Sequence, residues 1–498
     1  MMHFEDPLVS RLQSSLQRVL PDEATESEHM QALLAAAAPL AAQRAAVEHK
    51  ADATDLRNMA RDYPARSCVE IYIKLVLLHL YDDTADIDKL KQEFRFSMCD
   101  SRWLEALERY LEVYHRASHP HQAPYVRYRQ LSDFVFEDFP DTMKVGVLGD
   151  WGTGSELAMQ VLDRLLARGP DLIIHLGDVY YAGEASEYQR KLVAPLKQRA
   201  VKADGSPIPV FNLCGNHDMY SGGAPFYAAT ASLNANTPRQ QDASYFCLRT
   251  RNRKWQILGA DTGLHDHDPF TVLSGLTHLD PAEVEWHADK VRELAGEGGR
   301  SIFMSHHQPF SAFIPMGSMG RKKPSDFYVN PRLLADFEAI RAGGAVPLWL
   351  WGHEHNLGIY QPFRGIGRGR CAGHSAVPVL AAQSDPYQQR QASKLDLDLA
   401  LIGAPRGRWG MHLASEFRAW RQLKKRDPEF PVPKLVQGPG GDLRLPQERP
   451  TTSDGDQLPS MYEHGFTFMT FGAGPGGEGV RVDYHGRDGV QPLWSELL

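Results

Sequence analysis

Five apolar runs along this chain each end in residue types that bind metals, and their order constrains the fold more than anything else in the sequence. They are "MKVGVLGD" ending at Asp150, "DLIIHLGD" at Asp178, "IPVFNLCGNHD" with Asn216 and His217, "SIFMSHH" with His306 and His307, and "VPLWLWGHEH" with His353 and His355. The runs are short and rich in β-branched or aromatic residues. "SELAMQVLDRLLARG" and "EYQRKLVAPLKQRA", which separate the first three, have helical spacing. Strand alternating with helix is the signature of βαβ units. In open α/β sheets a site lies beyond the carboxyl ends of the strands, where all five sets fall. The glycines before Asp150, Asp178, Asn216 and His353 suit sharp turns leaving a strand at a crowded place.

The donor set is carboxylate, imidazole and amide oxygen, with no thiolate. It fits hard to borderline cations such as Fe, Mn or Zn. Two such ions about 3.5–4 Å apart clamp a nucleophile and a phosphoryl oxygen together. Asp178 is the natural bridge between them. His217 adjoins Asn216 and faces substrate, where an imidazolium stabilises developing charge or protonates the leaving oxygen. Tyr181, three residues after Asp178, has two readings: a ring packed at the mouth of a sheet, or a metal ligand.

Charge and composition narrow the partners. The net charge of −8 gives no basic footprint for a nucleic-acid backbone. The most apolar helix candidate, "VEIYIKLVLLHLY" from Val69, is interrupted by Glu70 and Lys74 and reads as a buried helix, so no membrane span is expected. "MMHFEDPLVSRLQSSLQ" lacks the pattern of a secretory signal. Cys68, Cys99, Cys214, Cys247 and Cys371 are scattered and read as free thiols. A cytoplasmic protein is the expectation. At 498 residues the chain exceeds one small core. Residues 1–140 read as an all-helical domain whose stripes, such as Trp103, Leu107, Tyr110, Leu111 and Tyr114, are core. Residues 141–498 read as the metal-bearing domain, with a polar insertion rich in Pro and Gly at about 384–460 and a short helix within it.

The ordered set GD–GD–GNHD–H–GHEH resembles the calcineurin-like metallophosphoesterases. More narrowly, "GDWG", "GDVYY", "GNHD", "HQP" and "GHEHN" resemble the purple acid phosphatases of the tartrate-resistant type. The resemblance covers roughly residues 143–375 and the closing strands. It implies a four-layered α/β/β/α sandwich after the helical domain. It also implies a ferric ion held by Asp150, Asp178, Tyr181 and His355, because that subfamily's GDxxY tyrosine binds iron and Tyr181 stands at its place. Gly152 stands where many relatives have a histidine ligand. A divalent ion (Fe, Zn or Mn) would lie on Asp178, Asn216, His307 and His353, with a di-Mn centre as the alternative. His307 is chosen because the family's ligand precedes x-Pro, here Gln308-Pro309; His306 is the other register.

The implied activity is hydrolysis of a small phosphate monoester by in-line attack of a metal-bound hydroxide, with Asp178 and His217 as the catalytic residues. Alternatives are a phosphodiesterase acting on nucleotides or other diesters, and a non-catalytic scaffold that binds a protein through the helical domain. Two features depart from the resemblance: no secretory signal is read, and neither the helical region nor the insertion has a counterpart. His265 and His267 in "DTGLHDHD" either line the pocket or form an exposed turn. Arg321, Lys322 and Lys323 are either a solvated loop or a phosphate contact.

Overall fold

A computed structural model of the chain describes residues 106, 109–110, 112–116, 122–267, 276–312, 328–379, 434–436, 447–448 and 461–498, all within one compact unit. The helical reading of residues 1–105, most of the 384–460 insertion with its short helix, and the basic run 321–323 lie outside the described residues. Among the described residues no helix is long and apolar enough to cross a membrane.

In chain order the first strands are β1 (Val135–Phe139), β2 (Lys144–Leu148), β3 (Leu172–His175), β4 (Val210–Asn212) and β5 (Phe246–Thr250). Next come β6 (Trp255–Ala260), β7 (Arg300–Ser305), β8 (Leu348–Trp351), β9 (Leu357–Ile359) and β10 (Gly369–Ala372). The last are β11 (Gln447–Glu448), β12 (Met461–Tyr462), β13 (Gly465–Ala473), β14 (Gly479–Gly486) and β15 (Pro492–Leu497). One sheet has six strands in the order β15-β14-β13-β2-β3-β4, and another has seven in the order β1-β5-β6-β7-β8-β10-β9. β1 comes from the stretch read as helical and pairs parallel with β5. β11 and β12 form a small separate ladder.

The sheets stack face to face. Val145, Val147, Ile174 and Phe211 of one sheet meet Phe246, Ile257, Ile302 and Leu350 of the other in a single apolar layer. Helices cover the outer faces. On the six-stranded sheet lies α1 (Glu156–Leu166), which buries Val161, Leu162 and Leu165. Ser155 caps it, its hydroxyl accepting from the Ala158 N–H at 3.2 Å. On the seven-stranded sheet lie α2 (Pro281–Gly296) and α3 (Pro331–Arg341), which bury Trp286, Leu333, Phe337 and Ile340. Each starts with proline after a capping Asp280 or Asn330, the arrangement a helix N-terminus favours. The result is a mixed α/β fold with two sheets, as expected in outline.

Register positions the site. β2, β3 and β4 run parallel and level, with Leu148 beside His175 and His175 beside Asn212. In the other sheet Ser305 of β7 is level with Trp351 of β8. All the motif loops therefore leave strands at their carboxyl ends.

Phe211 is the pivot of the inter-sheet layer: it is fully buried, with its ring 5.0 Å from Phe136 and 5.2 Å from Phe246. Phe211→Ala is expected to lower unfolding stability by roughly 3–5 kcal/mol, read by denaturant titration. A loss under about 1 kcal/mol would show that the two sheets do not depend on this contact.

Candidate metal centre

Just beyond the strand ends, Asp150, Asp178, His353 and His355 take positive φ values of 56°, 71°, 68° and 52°. This left-handed region is costly for residues with a side chain and persists where the surroundings over-determine it. Close packing explains two of the neighbouring glycines. A Cβ on Gly215 would overlap Asp178 Oδ1, and one on Gly352 would stand 2.7 Å from Asp150 Oδ2.

A first group forms on Asp150. Its Oδ1 lies 3.5 Å from His355 Nε2, and its Oδ2 accepts from the His353 N–H at 2.7 Å. The phenol that joins it is that of Tyr180. Its hydroxyl lies 3.0 Å from Asp150 Oδ1, 3.3 Å from Asp178 Oδ2 and 2.9 Å from His355 Nε2. Tyr181, expected at this place, is held differently. Its N–H donates to Glu187, its carbonyl accepts from His217 Nδ1 at 2.6 Å, and its ring lies 5.4 Å from Lys191 Nζ. The turn after Asp178 thus brings the hydroxyl of the motif's second residue, Tyr180, to the carboxylates.

A second group forms on the other side of Asp178. His306 Nε2 lies 3.3 Å from Asp178 Oδ2, 3.3 Å from Asn216 Oδ1 and 3.2 Å from His353 Nδ1. His306 Nδ1 donates to the Leu176 carbonyl at 2.9 Å, which makes Nε2 the nitrogen that faces the site. The Asn216 amide nitrogen donates to Tyr220 at 2.7 Å, which turns its oxygen inward. His307, expected as the ligand, stands outside this contact. Its Nε2 lies 2.9 Å from Asp266 Oδ2, and its backbone N–H donates to Thr262 at 2.9 Å. Its ring centroid is still only 4.5 Å from that of His353. Strand alternation explains the exchange: Ile302 and Met304 face the inter-sheet core, and His306 continues that row, while His307 continues the opposite row of Phe303 and Ser305.

The electrostatics favour a cation. Asp150 and Asp178 are fully buried, and among the described residues neither pairs with Lys or Arg. Burial pushes Asp178 up, but the charge of His306 and its hydrogen bond outweigh it and hold the carboxyl well below the usual range. Burial likewise raises Asp150, and the hydrogen bond from His355 with the charge of His306 brings it below its ordinary value. His306 goes the other way. Burial lowers it, yet Asp178 lifts it to about 9. Two buried carboxylates without fixed cations need compensating charge, which a bound ion supplies. The donors also converge: one ligand atom each from Asp150, Asp178 and His306 lie within 4.8 Å of one another, as do those of His306, His307 and His353. Carboxylates, amide oxygen, imidazoles and a phenol suit hard to borderline ions.

His217 stands at the edge of this cluster. Its N–H donates to Asp178 Oδ1 at 3.1 Å, and its Nε2 lies 3.8 Å from Asp178 Oδ2. Burial pushes its imidazole down to about 4, against the pull of Asp178, so the ring is neutral near pH 7 in the free protein and not the expected cation. Asp218, unremarked in the sequence, anchors the loops. Its carboxylate accepts from the N–H groups of Asp178, Val179 and Gly215 and from the Tyr188 hydroxyl. His265 stacks on His278 at 3.9 Å and His267 on Tyr114 at 4.8 Å; the acid between them, Asp266, is the one that reaches His307.

Residues 143–357 match the family model of the calcineurin-like phosphoesterases. No curated protein matches the chain. Among solved structures, the chain is similar to the GAP50 anchor in the inner membrane complex of Plasmodium, at 11% identity over 72% of this chain and 88% of that one, with a TM-score of 0.38. It is also similar to a dimetal phosphatase from Danio rerio, at 14% identity over 47% of this chain and 88% of that one, with a TM-score of 0.34.

Gly215→Ala tests the packing of the site. The added methyl displaces the Asp178 carboxylate, so bound metal measured by elemental analysis is expected to fall well below the wild-type content while the far-ultraviolet spectrum stays native. A variant with full metal content would mean that Asp178 is not a ligand.

Proposed function

We propose that this protein is a binuclear metal-dependent phosphoesterase that hydrolyses phosphate monoesters. One observation carries the proposal: a single oxygen, Asp178 Oδ2, lies 3.3 Å from Tyr180 of the first donor group and 3.3 Å from His306 of the second. A carboxylate so placed would be shared by two ions, one held by each group. The match of residues 143–357 to the calcineurin-like phosphoesterases supports the same chemistry. Asp150, Asp178, Tyr180 and His355 would hold one ion, and Asp178, Asn216, His306 and His353 the other. His307, whose ligand atom lies within 4.8 Å of those of His306 and His353, would stand beside the second ion.

Ions bound there supply Lewis acidity toward phosphoryl oxygens and lower the pKa of water. The protein's own residues do the rest. Asp178 sets the spacing of the two groups. His306 is fixed in one tautomer by Leu176. His217, its Nδ1 held by the Tyr181 carbonyl, presents Nε2 beside Asp178. There it hydrogen-bonds the ester, and the negative charge of a bound phosphate favours its protonation and hence donation to the leaving oxygen.

The phenol supports a ferric ion on the Asp150 side, with Fe, Zn or Mn as its divalent partner. Burial and the two carboxylates push Tyr180 well above the ordinary phenol value, so only a strongly charged cation would make it a phenolate. Tyr180→Phe is expected to abolish a visible tyrosinate-to-iron band, and Tyr181→Phe to keep it. The reverse result would return the ligand to Tyr181, and a colourless native protein holding two Mn or Zn ions would remove the iron.

Asp178→Asn is expected to lower turnover of p-nitrophenyl phosphate by at least about 10²-fold. Wild-type protein should turn over this monoester faster than bis(p-nitrophenyl) phosphate. A preference for the diester would overturn the monoester assignment. Metal-loaded wild-type protein with neither activity would favour a non-catalytic role.

A further inference from the structure

We propose that Glu354, the residue between the two histidines of "GHEH", is a positioning residue that holds both metal sites in shape. The inference rests on the metal-centre reading above and concerns a side chain that binds no metal itself.

Glu354 is buried, at 7% exposure, and its carboxylate is met by side chains outside the two donor groups. Ser311 Oγ donates to Oε1. Trp351 Nε1 and the Tyr360 hydroxyl each donate to Oε2 at 3.3 Å. Tyr360 oxygen in turn accepts from the Ala312 N–H at 3.2 Å. These donors come from three separate places. Trp351 ends β8, Tyr360 follows β9, and Ser311 lies on the loop that begins with His306 and His307. The backbone of Glu354 is tied as well: its N–H donates to the Gly352 carbonyl at 2.9 Å, and its carbonyl accepts from Asn356 Nδ2 at 2.8 Å.

This anchor sits where the loop most needs one. His353 and His355, on either side, have φ values of 68° and 52°. Residues with side chains leave that region unless something fixes them. Removing the carboxylate would leave the buried Trp351 and Tyr360 donors short of an acceptor, and the loop would relax to satisfy them. The relaxation would reach both ions. His355 belongs to the Asp150 group and His353 to the His306 group. The His353 N–H also holds Asp150 Oδ2 at 2.7 Å. Groups that orient metal ligands typically change metal affinity by about 10–100-fold when removed.

The test is equilibrium dialysis of the full chain with Zn²⁺ alone, on wild type, Glu354→Ala, Glu354→Gln and His355→Ala, with a circular-dichroism melt to confirm folding. Wild type is expected to hold two ions and His355→Ala one. Glu354→Ala should weaken both ions together by about tenfold or more. Glu354→Gln, which keeps one acceptor oxygen, should recover part of that loss. A folded Glu354→Ala protein that holds both ions at wild-type affinity, or that loses only one, overturns the proposal. If Glu354→Ala does not fold, Tyr360→Phe and Ser311→Ala carry the test: a severalfold weakening of both ions supports it, and unchanged affinity in both overturns it. Wild type that holds no zinc would instead overturn the metal-centre reading on which the proposal stands.

Discussion

Two carboxylates, Asp150 and Asp178, are fully buried where the two sheets meet, and among the described residues no lysine or arginine pairs with either. Charges are rarely left in such a place without compensation. The surroundings are arranged around them. His306 supplies positive potential, and His355 lies within reach of Asp150. Backbone N–H groups of His353 and His217 point at their oxygens. Gly215 and Gly352 leave the space that the oxygens occupy. The inter-sheet core is continuous beneath this point, so strand packing and site geometry are one construction.

The cost of that construction shows in the backbone. Of the nine non-glycine residues with positive φ among the described residues, four are Asp150, Asp178, His353 and His355. Strain of this kind gathers at functional sites because ligands must point across a gap that regular strands do not reach. Asp218 holds one side of the gap through three N–H groups, and Glu354 holds the other through three side chains. Both are buried acids, and burial pushes each up to about 7, Asp218 further aided by the charge of Asp178. Each is stabilised by its donors and not by a cation.

Much of this was legible in the sequence. The strands of the five motif runs form where short apolar runs predict them, because a strand buried on both faces must be apolar along its length. The ligand-bearing ends follow from parallel topology. What was not legible depends on turns. The two tyrosines of "GDVYY" differ by one position, and only the path of the chain after Asp178 decides which hydroxyl meets Asp150. His306 and His307 differ in the same way, but here a signal was present: continuing the Ile302–Met304 row by two selects His306. Family spacing pointed instead to His307. β1, β10 and β15 carry charged residues within them, and β9 is only three residues long, so their patterns did not stand out. Asp218 and Glu354 looked like ordinary polar residues because their role lies in contacts with distant parts of the chain.

The most direct test of the central claim is anomalous diffraction from crystals of the metal-loaded protein, recorded at the absorption edges of the ions present. Two peaks about 3.5–4 Å apart, with the Asp178 carboxylate between them, Tyr180 at one and His306 at the other, are predicted. A single peak, or two peaks that do not share Asp178, would contradict the account.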